Sequence, residues 1–427
     1  MNKMSITNAS ETENMKSSSL AGVLLKVLAR TKLYWGLIVL LAFGAMTSPM
    51  TSKGNNIFLS IGNLTDVLRQ VSVTGIVAVG MTMVIFIAGI DLSVGSLMAL
   101  GTVICAMLLT QSGWTAASTF AIPATGVVIA FCAFSLIFFI LKHKGKGSQE
   151  YAPSQATKIT SIGIAAAIGA LVMIWLAGQM APKFGVLAVL IAVPCVGAIM
   201  GAMNGAIIVY GRLQPFIVTL AMMVGALGLA RVVAGQDTAV HPVYTGSNAT
   251  ESFEVLRTLL WGFLPVPGVI FLGVLLFFFM LTRLTTFGSY LLAIGGNEEA
   301  ARLAGIDVGR IKIATYSIAG ALATLAGVLY VAQFRQGKPD AGIGLELDAI
   351  AAVVIGGTSL MGGRGAILGT LVGVLIFGFL SNVLQLNNID SNTQLILKGI
   401  IIVAAVLLQE GRIDGTFAWF KHKLSKQ

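Results

Sequence analysis

Twelve long apolar runs govern what this chain can become. They lie near 33–50, 70–90, 94–112, 117–141, 159–180, 185–210, 216–234, 259–283, 312–333, 347–363, 365–386 and 394–410. A helix needs about 20 mostly apolar residues to cross the hydrocarbon of a bilayer. In that solvent every backbone polar group must be satisfied within the protein, so spanning segments are helices or parts of closed barrels. Runs this long and continuous specify helices. The expected fold is therefore an all-α polytopic membrane protein with twelve transmembrane helices. Composition agrees, with 56% hydrophobic and 10% charged residues against about 25% charged in an average soluble protein. The 50 glycines suit such a bundle, because small residues let helix backbones approach and glycine tolerates unwound stretches inside it.

Charge sets the expected orientation. If the amino terminus is cytoplasmic and the spans alternate, 19 of the 27 lysines and arginines fall on inside segments: 1–32, 142–158, Arg212, 283–312, Arg364 and 412–427. The others, Lys53, Arg69, Lys183, Arg231, Arg257, Arg335, Lys338 and Lys398, are scattered over the opposite side and within or near spans. Positive charge accumulates on cytoplasmic loops, so both termini are expected in the cytoplasm. Residues 1–32 are polar and basic and have no short apolar region with a small-residue cleavage site, which reads as a cytoplasmic lead-in and not a signal peptide. The transmembrane domain then covers 33–410, followed by a basic cytoplasmic tail at 411–427.

Several chemistries lack their residues. A net charge of +10 is dispersed among loops, with no aromatic-interleaved basic domain, so nucleic acid is not an expected partner. The phosphate cradle G-x-x-x-x-G-K-[ST] does not occur, and Gly145-Lys146-Gly147-Ser148 has the wrong spacing. His143, His241 and His422 are far apart and form no H-E-x-x-H pair, while Cys105, Cys132 and Cys195 lie in apolar spans without C-x-x-C spacing. No metal, cofactor or catalytic residue is expected on this chain. Gly357-Thr358-Ser359-Leu360 has no base within reach to make a nucleophile of its serine.

Three segments carry polar residues where hydropathy alone would place none. The first is Ala88-Gly89-Ile90-Asp91-Leu92-Ser93-Val94-Gly95-Ser96, which joins two spans with almost no loop. An acid at membrane depth is costly and is a functional candidate by default. Two readings stay open: Asp91 or Ser93 caps the next helix, or Asp91, Ser93, Gly95 and Ser96 belong to a path or gate. The second segment is Gly295-Gly296-Asn297-Glu298-Glu299-Ala300-Ala301-Arg302-Leu303-Ala304-Gly305 in a cytoplasmic loop. It reads as a complete short helix: Asn297 caps it, the acids complement its positive end, Arg302 lies in its last turn, and Gly305 takes the left-handed stop. It is either a solvated loop helix or a rigid lever. The third runs from Glu346-Leu347-Asp348 to Gly362-Gly363-Arg364-Gly365. Acids open it and glycines close it, which suits capping and a turn or a path lined by Gly356, Gly357, Thr358 and Ser359.

Ala78-Val79-Gly80-Met81-Thr82-Met83-Val84 running into Gly89-Ile90-Asp91-Leu92-Ser93-Val94-Gly95-Ser96 resembles the permease of ribose-type ABC sugar importers. Arg212-Leu213-Gln214-Pro215-Phe216-Ile217-Val218-Thr219-Leu220, Ala293-Ile294-Gly295-Gly296-Asn297-Glu298 through Ile306, and Glu346-Leu347-Asp348 through Gly363 agree in order and spacing, over roughly 55–410 apart from one stretch. The resemblance implies a multi-pass protein of the inner membrane, similar to the vitamin B12-importer membrane domain, that moves a monosaccharide. It also implies a second permease copy or similar subunit, a periplasmic sugar-binding protein outside, and a cytoplasmic subunit that uses ATP and Mg. Gly295 to Ile306, including Gly296, Asn297, Glu298, Glu299, Ala300, Ala301, Arg302, Leu303, Ala304 and Gly305, would be the coupling helix that enters that ATPase. Because such a core has ten helices, residues 117–183 are expected to be an inserted helix pair with a cytoplasmic loop at 142–158. Lys142, Lys144 and Lys146 on that loop favour anionic lipid headgroups.

The competing expectation is an ion-gradient-driven secondary transporter of a small solute, for which Asp91 is the one candidate carrier. A second rival class is an intramembrane enzyme, which would cleave a substrate alone, or a structural scaffold, whose deletion would cost no transport.

Overall fold

The computed structural model describes residues 20–144, 155–179, 183–235 and 239–409. The tail 411–427 and most of the amino-terminal segment and of the 142–158 loop lie outside the described residues. Fourteen α-helices are seen among those described: α1 (Leu20–Thr47), α2 (Ile61–Phe86), α3 (Val94–Thr110), α4 (Ala116–Lys144), α5 (Gln155–Gly178), α6 (Val186–Gly211), α7 (Pro215–Ala234), α8 (Val266–Leu284), α9 (Thr286–Gly296), α10 (Glu298–Leu303), α11 (Val308–Phe334), α12 (Leu345–Ile355), α13 (Ile367–Leu386) and α14 (Ser391–Gln409). Every expected span carries a helix. Eight of them, α2, α4, α5, α6, α7, α8, α11 and α13, are long and apolar enough to cross a membrane, and Tyr34–Thr47 and Val94–Thr110 are shorter apolar helices. The protein is thus a helical multi-pass membrane protein, with eight helices of full span length among the described residues.

Two expected spans are reshaped. Residues 259–265, read as the start of a span, form the hairpin β2 (Leu259–Leu260) with β3 (Leu264–Pro265). Its turn places Trp261 at φ 52° and Gly262 at φ 80°. The apolar run 347–363 holds only the 11-residue α12, which at about 1.5 Å per residue is too short to cross. Before it, β4 (Gln336–Gly337) pairs antiparallel with β1 (His241–Pro242), and the chain then runs back along α3. Lys338 N–H donates to Thr102 Oγ1 at 3.1 Å, and a methyl group at Gly342 would collide with the Gly95 carbonyl.

Helix α11 is the axis of the bundle, packed on α2, α3 and α6. On α6, Gly197, Gly201 and Gly205 recur every four residues and face it. A side chain at Gly197 would meet the Gly320 carbonyl, one at Gly201 the Tyr316 carbonyl, and one at Gly205 would stand 2.6 Å from Ile313 Cα. Lipid offers no hydrophobic drive for helices to associate, so close contact between small residues supplies the cohesion. On another face of α11, Gly327 lies against Met98 O at 2.6 Å from an added methyl, and Gly101 against Thr324. Interhelical polar pairs add to this: Thr82 Oγ1 and Thr370 Oγ1 are 2.6 Å apart in the core, and Asn63 and Asn382 exchange bonds of 3.0 and 2.7 Å. The α4–α5 pair packs face to face around Gly126 and Gly169 and leans on α6 at the bundle edge.

Gly201→Leu is expected to separate α6 from α11, because the obstacle is backbone and cannot rotate away. The loss is about 3 kcal/mol, at the upper end for overpacking, read as a lower unfolding temperature of the purified chain. Gly225→Leu on α7, where an added Cβ meets nothing within 4 Å, is the matched control and should stay near wild type.

Candidate functional site

The three polar segments, far apart in sequence, meet at one place. Helix α2 stops at Phe86, Ala88 takes φ 57°, and the chain turns through Asp91 into α3. The Phe86 carbonyl, left free where α2 ends, accepts from the Gly363 N–H at 3.0 Å. A methyl at Gly295, the penultimate residue of α9, would run into that same carbonyl and lie 2.6 Å from Gly363 N. One at Gly363 would stand 2.8 Å from Gly296 Cα, and one at Gly362 2.7 Å from Ala88 N. The end of α9, the break between α2 and α3, and the glycine loop after α12 are therefore backbone against backbone.

Within the loop, Gly357 at φ 87° closes α12, with its N–H donating to the Val354 carbonyl at 2.8 Å. Gly356 packs against Gly369 of α13, Thr358 against Gly365, and the Ser359 hydroxyl accepts from Met361 N–H at 3.3 Å. Gly95 and Ser96 lie in the first turn of α3, where the Glu346 carboxylate sits beside Gly95. An acid there complements the positive end of the helix dipole. Asp348, two residues on, pairs with Lys398 of α14 at 2.8 Å.

Behind the break is a buried polar group. Asp91 Oδ1 accepts from the Ser93 N–H at 2.9 Å and from the Ser93 hydroxyl at 2.6 Å, and Asn204 Nδ2 of α6 donates to the Ser93 oxygen at 3.0 Å. Ser93 itself makes no side-chain cap on α3. The Tyr316 hydroxyl of α11 lies against Gly89, 2.5 Å from where its methyl would be. Thr219 of α7 donates to the Ile90 carbonyl at 3.2 Å. Asp91, Ser93, Asn204, Thr219 and Tyr316 all have 0% exposure. Sequence reasoning singled out Asp91 and Ser93, reached Thr219 only within a family-resembling block, and passed over Asn204 and Tyr316. A lone amide amid the apolar residues of α6 was the signal available for Asn204.

At the same end of the bundle, α10 is a six-residue helix with Asn297 Oδ1 accepting from Ala300 N–H at 2.9 Å. Gly305 at φ 83° donates to the Arg302 carbonyl and Ile306 to the Ala301 carbonyl, closing it. Glu298 ties it to α11 through Lys312 at 2.7 Å and to Arg302 at 3.4 Å. Leu303 projects outward, 82% exposed. An open groove of about 850 Å³ separates α10 from the α6–α7 turn, with Arg212, Pro215, Glu298, Arg302 and Lys312 among its walls. Pro215 starts α7, its fixed φ suiting a first helical position.

At the opposite end, loops fold over the bundle. Lys183 Nζ donates to the Asn248 carbonyl at 2.7 Å, Thr250 to the Phe184 carbonyl at 2.6 Å, and Thr65 to the Phe263 carbonyl at 2.7 Å. Arg257 sits with Arg69 and Arg335; desolvation lowers its pKa from the ordinary value, Glu254 opposes this, and the two neighbouring cations add to it. Arg69 pairs with Asp66 at 3.2 Å and Arg257 with Glu254 at 3.5 Å. Among the described residues no group of three or more His, Cys, Asp or Glu side chains is arranged to hold a metal ion.

A bundle of glycine-packed, interrupted helices with a capped external helix at one end is the architecture of a multi-pass membrane protein. The family described as the permease component of branched-chain amino acid transport systems matches residues 63–147 and 160–406, and the chain belongs to it. Helix α4 lies within the first matched stretch and α5 within the second from residue 160 onward, so the break covers part of the connecting loop and the first turn of α5. The ribose import permease protein of Escherichia coli K12 is 37% identical over 380 residues, covering 87% of this chain and 92% of the relative. That of Bacillus subtilis is 34% identical over 375 residues, 88% and 91%. The xylose transport system permease protein of Escherichia coli K12 is 33% identical over 374 residues, 82% and 85%. No solved structure matches.

Two adjacent glycines discriminate the backbone junction from simple helix propensity. Gly295→Ala is expected to cost about 1–3 kcal/mol, because its methyl meets the Phe86 carbonyl. Gly296→Ala, which meets nothing within 4 Å, should stay within about 0.5 kcal/mol of wild type. Unfolding temperatures of the two purified variants decide it.

Proposed function

We propose that this chain is the membrane subunit of an ATP-driven, binding-protein-dependent importer that passes a pentose or hexose across the inner membrane. The substrate class rests on the relatives, whose names specify ribose and xylose, since the family description names a different solute. The observation that carries the mechanism is the contact of Gly295 with the Phe86 carbonyl and Gly363. It lets a push on α10 reach the α2–α3 break and the α12–α13 loop without passing through a flexible linker.

In this reading both termini are cytoplasmic, and Gly295 to Ile306 is the coupling element received by a separate subunit that uses ATP and Mg. Asp91, Ser93, Gly95 and Ser96, with Gly356, Gly357, Thr358 and Ser359, flank the gate that this movement rearranges. With α1, α3, α12 and α14 the eight long helices make twelve membrane segments, of which α4–α5 form a peripheral pair beside a ten-helix core of the vitamin B12-importer type. Two copies form the path, and the loops at 239–265 receive a periplasmic sugar-binding protein. The Arg69, Arg257 and Arg335 cluster favours acidic groups on that protein. Sugars are neutral, so the path needs small polar surfaces and no fixed charge of its own.

Reconstituted with its ATPase and binding protein, the chain should take up sugar only when ATP is enclosed with the ATPase and the binding protein is outside. Uptake by the lone chain under an imposed ion gradient would overturn the reading in favour of a secondary transporter. Gly305→Val, which forces a β-branched residue into the left-handed region at about 1–2 kcal/mol, should abolish most ATP-dependent uptake without preventing membrane insertion. On the other side, Arg257→Glu should weaken binding-protein docking at least about tenfold, since like charges face each other across the interface, and leave ATPase association unchanged. Both associations are measurable on nanodisc-embedded complexes.

A further inference from the structure

The break between α2 and α3 holds a carboxylate in the protein interior whose charge is incompletely answered. Among the described residues no lysine, arginine or histidine pairs with Asp91. The two groups bonded to it, the N–H and O–H of Ser93, both go to Oδ1. Three fully buried oxygens from three elements are left without a partner: Asp91 Oδ2, Asn204 Oδ1 and Tyr316 Oη.

The amide orientation is fixed by proton accounting. The single Ser93 hydroxyl proton goes to Asp91, so the Ser93 oxygen accepts, and only the NH2 of Asn204 can supply that bond. Asn204 Oδ1 is thereby turned away from Ser93 as a bare acceptor. Gly201, one turn earlier on α6, packs on the Tyr316 backbone, and the Tyr316 hydroxyl abuts Gly89, two residues before Asp91. Asp91 Oδ2 and Asn204 Oδ1 are both acceptors and cannot satisfy each other, the single Tyr316 O–H can donate to one of them at most, and an unpaired charge in the interior is costly. The amino-terminal end of α3 supplies about half a positive charge, which leaves the remainder to be met.

We propose that Asp91, Asn204 and Tyr316 form a site for a single dehydrated monovalent alkali cation that pins the α2–α3 break to α6 and α11. The donors are hard oxygens, which suit an alkali or alkaline-earth ion and not zinc or copper. One carboxylate matches one positive charge, whereas a divalent ion would leave an excess. The ion is structural in this assignment. It neutralises Asp91 and cross-links three helices at the place where the coupling segment makes contact, and it is not the driving ion of transport.

The test uses the purified full-length chain with no sugar, ATPase or binding protein, so its outcome is separate from that of the transport experiment. Unfolding temperature is measured in sodium, potassium and choline chloride at equal ionic strength. A saturable rise of about 2–4 °C in sodium or potassium, at an ion concentration about a hundred times the dissociation constant, and its disappearance in Asp91→Asn and Tyr316→Phe, is the expected result. Both substitutions keep side-chain shape, and Tyr316→Phe removes only the oxygen, so a folded protein remains to be measured. Equal stability in all three salts overturns the site. So does an alkali effect that persists in Asp91→Asn, which places the ion elsewhere. A stability that follows pH and ignores the alkali ion also overturns it, by giving Asp91 a proton in place of the cation.

Discussion

Cohesion in this protein comes from backbone touching backbone. A helix in lipid does not gain by hiding its apolar side chains from water, because the lipid tails are equally apolar. What holds α11 to its neighbours is the absence of side chains along Gly197, Gly201 and Gly205 on α6, and at Gly101 and Gly327 between α3 and α11. Such contacts have little compliance: a glycine seam has no rotamer that can yield. Movements of α11 must therefore carry α6 and part of α3 with it, as a rigid block of close-packed elements.

The interrupted segments are where such a block can move against the remainder. Helix α12 is half the length of a span, α3 begins after a seven-residue break, and the chain from 337 to 344 runs through consecutive turns beside α3. Irregular backbone at membrane depth survives only when buried in protein, and here three of the free groups find partners across the bundle. Phe86 O receives Gly363 N–H, Lys338 N–H finds Thr102, and Ile90 O receives Thr219. The irregular stretches are thus specified by hydrogen bonds and by glycine contacts, and a bistable arrangement needs only a few of them to exchange.

How much of this was legible in the sequence follows from the range of each interaction. The capping of α10 by Asn297 and its stop at Gly305 were readable, because every partner lies within a few residues. The spans were readable from hydropathy at the level of position but not of shape. In 347–363 the adjacent Gly356 and Gly357 permit a stop, but that the helix ends at Ile355 is fixed by Gly357 taking φ 87° and by Gly356 meeting Gly369 and Gly362 meeting Ala88. The convergence of the three polar segments was hidden for the same reason. Each showed its glycines and its acids, and the close approaches that give those glycines meaning join residues 86, 295 and 363. Asn204 and Tyr316 were missed because a search for long apolar runs treats a solitary polar residue as noise.

The same geometry bears on whether a buried acid implies an ion-driven pump. A carrier acid must reach both sides of the membrane in turn, through a polar route that admits its ion. Asp91 has 0% exposure, and its neighbours are a serine, an amide, a tyrosine and the backbone of the break. The acid that does sit in a polar niche, Asp348, is already paired with Lys398, with Gln70, Thr74 and Ser381 around it. A charge that is compensated on the spot is poorly placed to ferry another ion. The proposed coupling role of α10 rests instead on its place outside the bundle, with Leu303 exposed and Glu298 tying the short helix to α11, and through it to the glycine-packed block.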